Sequence, residues 1–244
     1  MRKEVQRKFS NPLEFVAETT ATLIFLSAAI LASERTGGGG EAFATSFMLV
    51  FFCLGAIQSI PRIATEEPGS AVLEQLCISQ HPLWRLALAR DAASAVMFVP
   101  TMAVISLGCR LITGIAPAIP PVGAIAPILL MRMGMLGVGY LLGAVALLNK
   151  RTGALINLIS MGFFALAFAP PTAAQPQGAA LAFPYTAWIR PIRSIIDGIP
   201  LKSALSPRNA LAACVVSCVY IALGVLAFGA AFKRALASGS LSRA

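Results

Sequence analysis

Chemistry needs titratable or nucleophilic side chains close together, and in this chain they are scarce and concentrated. Residues 62–91 hold four of the ten acids, Glu66, Glu67, Glu74 and Asp91, together with the only histidine, His81. Paired carboxylates can divide acid and base work, and a histidine can activate a nucleophile. Neither arrangement is completed here. A single imidazole excludes a histidine-cluster metal site, and any serine triad would rest on His81, which stands beside Pro82 and Trp84 in a loop-like stretch. No Gly-x-Ser-x-Gly, Cys-x-x-Cys, His-Glu-x-x-His or Walker A sequence is present. Cys214 and Cys218 share a helix face with no acid or histidine nearby, so the cysteines read as small buried hydrophobes and not as ligands. The residues themselves predict no metal, no cofactor and no enzymatic activity in this chain.

What positions the polar stretch is a series of apolar runs. The 244 residues are 57% hydrophobic and 12% charged, with mean hydropathy +0.80. A soluble domain carries about 25% charge, so the composition predicts an integral membrane protein. A spanning helix needs roughly 20 apolar residues. Six such spans fill most of the length: near 17–32, 42–60, 92–111, 125–148, 154–169 and 210–232. The expected fold is an all-α membrane protein with one transmembrane domain over residues 1–244, leaving no room for a separate soluble catalytic domain.

The connections carry the local signals. Arg2, Lys3, Arg7 and Lys8 with Val5 and Phe9 suggest an amphipathic surface helix over 1–11, basic side toward lipid headgroups. Asn11-Pro12-Leu13-Glu14 is a helix start, with Asn as cap, Pro at the first helical position and Glu three residues after the cap. The acids Glu4, Glu14 and Glu18 argue against a cleaved signal, so the first span is expected to be retained. Four glycines, residues 37–40, mark a flexible turn, and the second span is expected to stop at Pro61-Arg62. Pro100 is expected to kink the third span. Pro117, Pro120 and Pro121 mark a turn, and Asn149-Lys-Arg-Thr152 joins spans four and five as a hairpin. Residues 172–207 are too long for a structureless loop. Trp188, Ile192, Ile195, Ile196 and Ile199 would form an apolar face, with Arg190, Arg193 and Asp197 off it. Short external helices, broken by Pro184, Pro191 and Pro200, are expected there.

Arg132 is the one ionisable residue clearly inside a span. Such a residue either snorkels, makes a structural hydrogen bond or lines a pathway. From the expected helix start near residue 125 it lies close to the outer end, where snorkelling is cheap. The absence of other intramembrane ionisable groups disfavours an intramembrane enzyme or a proton-coupled carrier.

The formal charge is +9, but the basic residues sit at the ends of apolar runs and form no aromatic-interleaved stripe, so nucleic acid is not an expected partner. Twelve fall on one side: Arg2, Lys3, Arg7, Lys8, Arg62, Arg85, Arg90, Lys150, Arg151, Lys233, Arg234 and Arg243. The other side receives six, Arg35, Arg110, Arg190, Arg193, Lys202 and Arg208. The richer side is expected to be cytoplasmic, which puts both termini and residues 62–91 inside.

With this layout the chain resembles the permease subunit of type-2 ABC exporters. Glu66-Glu-Pro-Gly69, then Leu73-Glu-Gln-Leu76, then Ser79-Gln-His-Pro82 are similar to that family's acidic-glycine stretch, Leu-Glu-x-Leu and Ser/Thr-Pro after its second span. Leu141 to Leu158 resembles its hairpin between spans four and five, residues 184–207 its external helices, and residues 235–241 its basic tail ending in Gly-x-Leu. The sequence departs from the pattern in two places: three residues separate Gly69 from Leu73 where one is usual, and Gln80 and His81 are inserted before the proline.

The resemblance implies a half-channel in the cell's inner (plasma) membrane. It would work as a homodimer, or as a heterodimer with a related permease, surrounded by membrane lipid. Two cytoplasmic ABC ATPase subunits would bind ATP and Mg. Within a cytoplasmic coupling loop, 63–85, a coupling helix near 69–77 would sit in a groove on the ATPase. Glu66, Glu67, Gly69, Leu73, Glu74, Gln75 and Leu76 would form that contact, and Arg132 is the candidate for the substrate pathway. The alternative is a non-ABC membrane carrier, or a structural subunit of another membrane complex. The apolar spans suit an apolar or amphipathic cargo, such as a lipid-like molecule, drug or peptide.

Overall fold

The computed structural model describes residues 12–35, 39–66, 83–149, 152–168, 182–204 and 206–237. Among them are eight helices and no strand: α1 Pro12–Arg35, α2 Gly40–Glu66, α3 Leu83–Thr113, α4 Val122–Leu148, α5 Gly153–Phe168, α6 Pro184–Ile196, α7 Leu201–Ala204 and α8 Pro207–Ala237. Four contain stretches long and apolar enough to cross a membrane: Gly40–Arg62, Ala87–Thr113, Val122–Leu148 and Pro207–Ala235. α1 falls outside that set. So does α5, whose 16 residues reach about 24 Å at 1.5 Å per residue. The amphipathic helix expected over 1–11 lies outside the described residues.

Helix ends follow local chemistry in several places. α1 begins at Pro12, the position the Asn-Pro-x-Glu pattern predicts. α3 closes on Gly114 at φ +76°, a left-handed conformation that favours glycine. There the Thr113 hydroxyl donates to the Cys109 carbonyl (2.8 Å) and accepts from the Ile115 N–H (3.2 Å). α6 closes in the same way on Gly198, φ +89°.

The prolines do less than expected. The apolar stretch of α2 ends at Arg62, as expected, but the helix itself runs through Pro61 to Glu66, and α6 runs through Pro191. A proline removes one N–H and crowds the carbonyl four residues back. It does not have to end a helix whose freed carbonyl neighbouring groups can satisfy. α3 begins at Leu83, and its apolar stretch begins at Ala87, a few residues before the expected start near Ala92. Residues 67–82, between α2 and α3, lie outside the described residues.

The chain divides into two compact units, Met1–Phe52 with Ala89–Ile119, and Cys53–Leu88 with Pro120–Ala244. In the first, Phe25, Phe47 and Phe51 stack in series, with ring centroids 6.0 and 5.5 Å apart. Leu23 fills the space a side chain at Gly108 would take, its Cδ1 being 2.8 Å from that point. Thr45 Oγ1 accepts the Ala118 N–H at 2.9 Å, fixing the connection after α3 to α2.

In the second unit α4 is the central element and packs along α8. Its glycines make this possible. A Cβ at Gly137 would stand 2.5 Å from the Ile221 backbone N, and one at Gly224 2.9 Å from Tyr140 Cβ. Small residues are what let helix backbones approach in a bilayer. On another face, a Cβ at Gly139 would meet the Ala56 carbonyl at 2.7 Å and the Ile57 carbonyl at 3.0 Å, so α2 lies against it.

Candidate functional site

The residues that the resemblance assigns to the ATPase contact divide at the end of α2. Glu66 is its last residue. Glu67, Gly69, Leu73, Glu74, Gln75 and Leu76 lie outside the described residues, as does His81. What the structure gives is the two helices that bracket them. Just before the gap, the Arg62 guanidinium donates to Gln58 Oε1 at 3.3 Å on the α2 surface. Just after it, α3 carries exposed Arg85 and then Asp91, which is 5% exposed.

Arg132, the ionisable residue expected within the fourth span, lies on α4. α4 starts at Val122, so the residue is ten positions, about 15 Å, inside the helix. It is 4% exposed. Its guanidinium lies against α2 at Gly55, where a Cβ would stand in ordinary contact, 3.9 Å from Arg132 Nη1. The Arg132 charge also acts on Cys53, a half-turn earlier on α2.

The second polar centre is formed by the start of α6. A Cβ at Gly134 would stand 2.6 Å from Pro184 Cβ and 2.9 Å from Ser217 Oγ, so the first turn of α6 sits on the middle of α4. Trp188 Nε1–H donates to Ser217 Oγ at 3.0 Å, and the Tyr220 hydroxyl to the Ala182 carbonyl at 3.1 Å. Phe163 of α5 meets Tyr185 edge-on at 5.1 Å, and Phe183 meets Tyr220 at 6.2 Å. Such aromatic pairs contribute about 0.5–1.5 kcal/mol each beyond burial.

The expected apolar face of this segment forms in part. Trp188, Ile192 and Ile195 are buried, while Ile199 is 44% exposed, because the chain turns at Gly198 before reaching it. Arg193, expected off that face, has its Nε buried. Among the described residues three buried side-chain atoms lack a hydrogen-bond partner: Tyr185 Oη, Arg193 Nε and Ser160 Oγ. Tyr185 and Ser160 were not legible as site residues. Their spacing reads as ordinary apolar helix, and only the fold buries them.

The cysteine pair also differs from expectation. Cys218 is exposed and Cys214 partly so, on a face shared with exposed Leu211, Val215 and Val219. A small hydrophobe gains nothing by turning inward when the surroundings are as apolar as the interior. Comparison with protein-family models, curated proteins and solved structures returns no match for this chain.

Proposed function

We infer that this chain is the permease subunit of an ATP-driven ABC exporter: a six-span half-channel in the cell membrane, both termini cytoplasmic, paired with a second permease. The observation that carries this reading is the polar segment between α2 and α3. Two long helices run into it from either side, and it contains Glu66-Glu-Pro-Gly69 and Leu73-Glu-Gln-Leu76. In this reading α1 and α5 are the two further spans, each with partners that complete its crossing. The chain itself carries no nucleotide motif, so energy comes from a cytoplasmic ATPase that holds ATP and Mg.

The coupling is mechanical. Leu73 and Leu76, three apart on a helix, share one edge and fit an apolar groove. Glu66, Glu67 and Glu74 meet basic residues at the groove rim and set register more than affinity. Closure of the ATPase dimer then moves α2 and α3 as rigid bodies.

The test is co-purification of the full chain with the ABC ATPase encoded beside its gene. Glu74→Lys and Leu76→Arg are each expected to reduce the retained ATPase about tenfold or more, as loss of an interface anchor does, and to abolish ATP-driven transport. Full retention and full transport in both variants would remove this interface from consideration.

A further inference from the structure

We propose that a water-filled cleft runs along α6, from the end of the bilayer where α4 and α8 begin down to Ala182 near the midplane. The proposal requires α4 and α8 to cross a membrane and does not rest on the exporter reading above.

Depth is fixed by the packing of α4 on α8. The two run parallel and in register: Gly134 faces Ser217, Gly137 faces Ile221, Tyr140 faces Gly224 and Gly143 faces Phe228. Their starts, Val122 and Pro207, therefore lie at one level, and each opens an apolar stretch long enough to cross. Pro184, the first residue of α6, packs on Gly134, twelve residues or about 18 Å from the Val122 level. Trp188 donates to Ser217, ten residues or about 15 Å from the Pro207 level. α6 has 13 residues, about 20 Å, which is the rise needed to bring the chain back to where α8 begins. It is a helix that crosses half the bilayer.

Two features require water beside it. First, the backbone at its deep end is not helical. Phe183 is extended and gives α6 no side-chain cap, and Ala182 is exposed. The Tyr220 hydroxyl reaches the Ala182 carbonyl at 3.1 Å, and this bond is exposed too. Irregular backbone at such depth is not tolerated against lipid, only inside protein or along a water-filled cavity. Second, α6 has two unlike sides. Trp188, Ile192 and Ile195 are buried. Opposite them Thr186, Arg190, Arg193 and Asp197, four, three and four residues apart, form one polar stripe over the length of the helix and its cap. Arg190 and Asp197 are exposed, Thr186 and Arg193 half-buried. Guanidinium groups turned to lipid along such a helix would be costly. A helix lying flat on the membrane surface would also wet this stripe, but the seat of Pro184 on Gly134 holds one end of α6 at depth.

The experiment uses the full chain in phosphatidylcholine vesicles, with Ala182→Cys, Arg190→Cys, Val219→Cys and Ser206→Cys made singly. A charged, membrane-impermeant thiol reagent is added, and labelling is followed site by site by peptide mass spectrometry. Only the thiolate reacts, and it forms where there is water. Ala182→Cys and Arg190→Cys are expected to react within about tenfold of Ser206→Cys at the surface. Val219 is exposed on α8 at the level of Ala182, so Val219→Cys is expected to react at least about a hundredfold more slowly than Ser206→Cys. Native Cys218, exposed beside it, should be equally slow. Labelling of Ala182→Cys or Arg190→Cys as slow as that of Val219→Cys overturns the cleft. Rapid labelling of Val219→Cys overturns the depth assigned to α6. Amide hydrogen exchange on the unsubstituted chain in the same vesicles repeats the test where a variant misfolds. Residues 182–186 are expected to exchange well ahead of residues 217–221, and equal protection of the two overturns the proposal.

Discussion

α3 and α4 carry apolar stretches of nearly equal hydropathy, yet most of the α3 stretch is not buried while most of the α4 stretch is. The difference lies in side-chain size. α4 carries Gly134, Gly137, Gly139 and Gly143, and at each a Cβ would stand less than 3 Å from a neighbouring helix or segment. α3 places Val96, Val99, Val104, Leu107 and Leu111 outward, each more than half exposed. Apolar character drives both helices out of water but does not drive one against another once lipid is the alternative. Close approach does that, and close approach needs small residues. Hydropathy therefore identifies a span, and glycine spacing identifies the span that others pack around.

This contrast can be broken at its strongest point with Gly137→Val. The new side chain would collide with the backbone of Tyr220 and Ile221. Since backbone cannot yield as a side-chain tip can, the expected loss is about 3 kcal/mol or more. Detergent thermal denaturation and the monodisperse fraction on gel filtration would register it. A smaller effect follows from Trp188→Phe, which keeps the ring packing and removes the donor to Ser217. It should cost about 1 kcal/mol by the same measurement. The smallest sharpens the α3 side: Leu107→Val, on an outward position, should stay within about 0.5 kcal/mol. A large loss there would mean that α3 is covered in the same sense as α4, and the contrast would fail.

The order of elements was legible because it rests on local rules. Asn11-Pro12-x-Glu14 marks where α1 begins, and the run of residues 114–121 with its three prolines separates α3 from α4. The break between α4 and α5 was legible for the same reason, and Thr152 Oγ1 donates to the Asn149 carbonyl there at 3.0 Å. Helix continuation through Pro61 and Pro191 was not, since whether a proline ends a helix depends on what stands ready to satisfy the carbonyl it frees. Of the second polar centre, Trp188 and the arginines could be seen as an amphipathic pattern. That Tyr185 and Ser160 are buried and unmatched depends on which helices α6 is laid against, and no spacing rule carries that.

The continuation of α2 through Pro61 has a mechanical consequence. Pro61 has no N–H to give to the Ile57 carbonyl, and that carbonyl is one of the two that lie over Gly139. The helix thus has its softest joint beside the point where it is clamped to α4. A load applied to the turn beyond, residues 62–66, acts on a short lever whose fulcrum is fixed by the glycine. Any bend in α2 at this end is located there, and a bulkier residue at position 139 would move the fulcrum before it changed the lever.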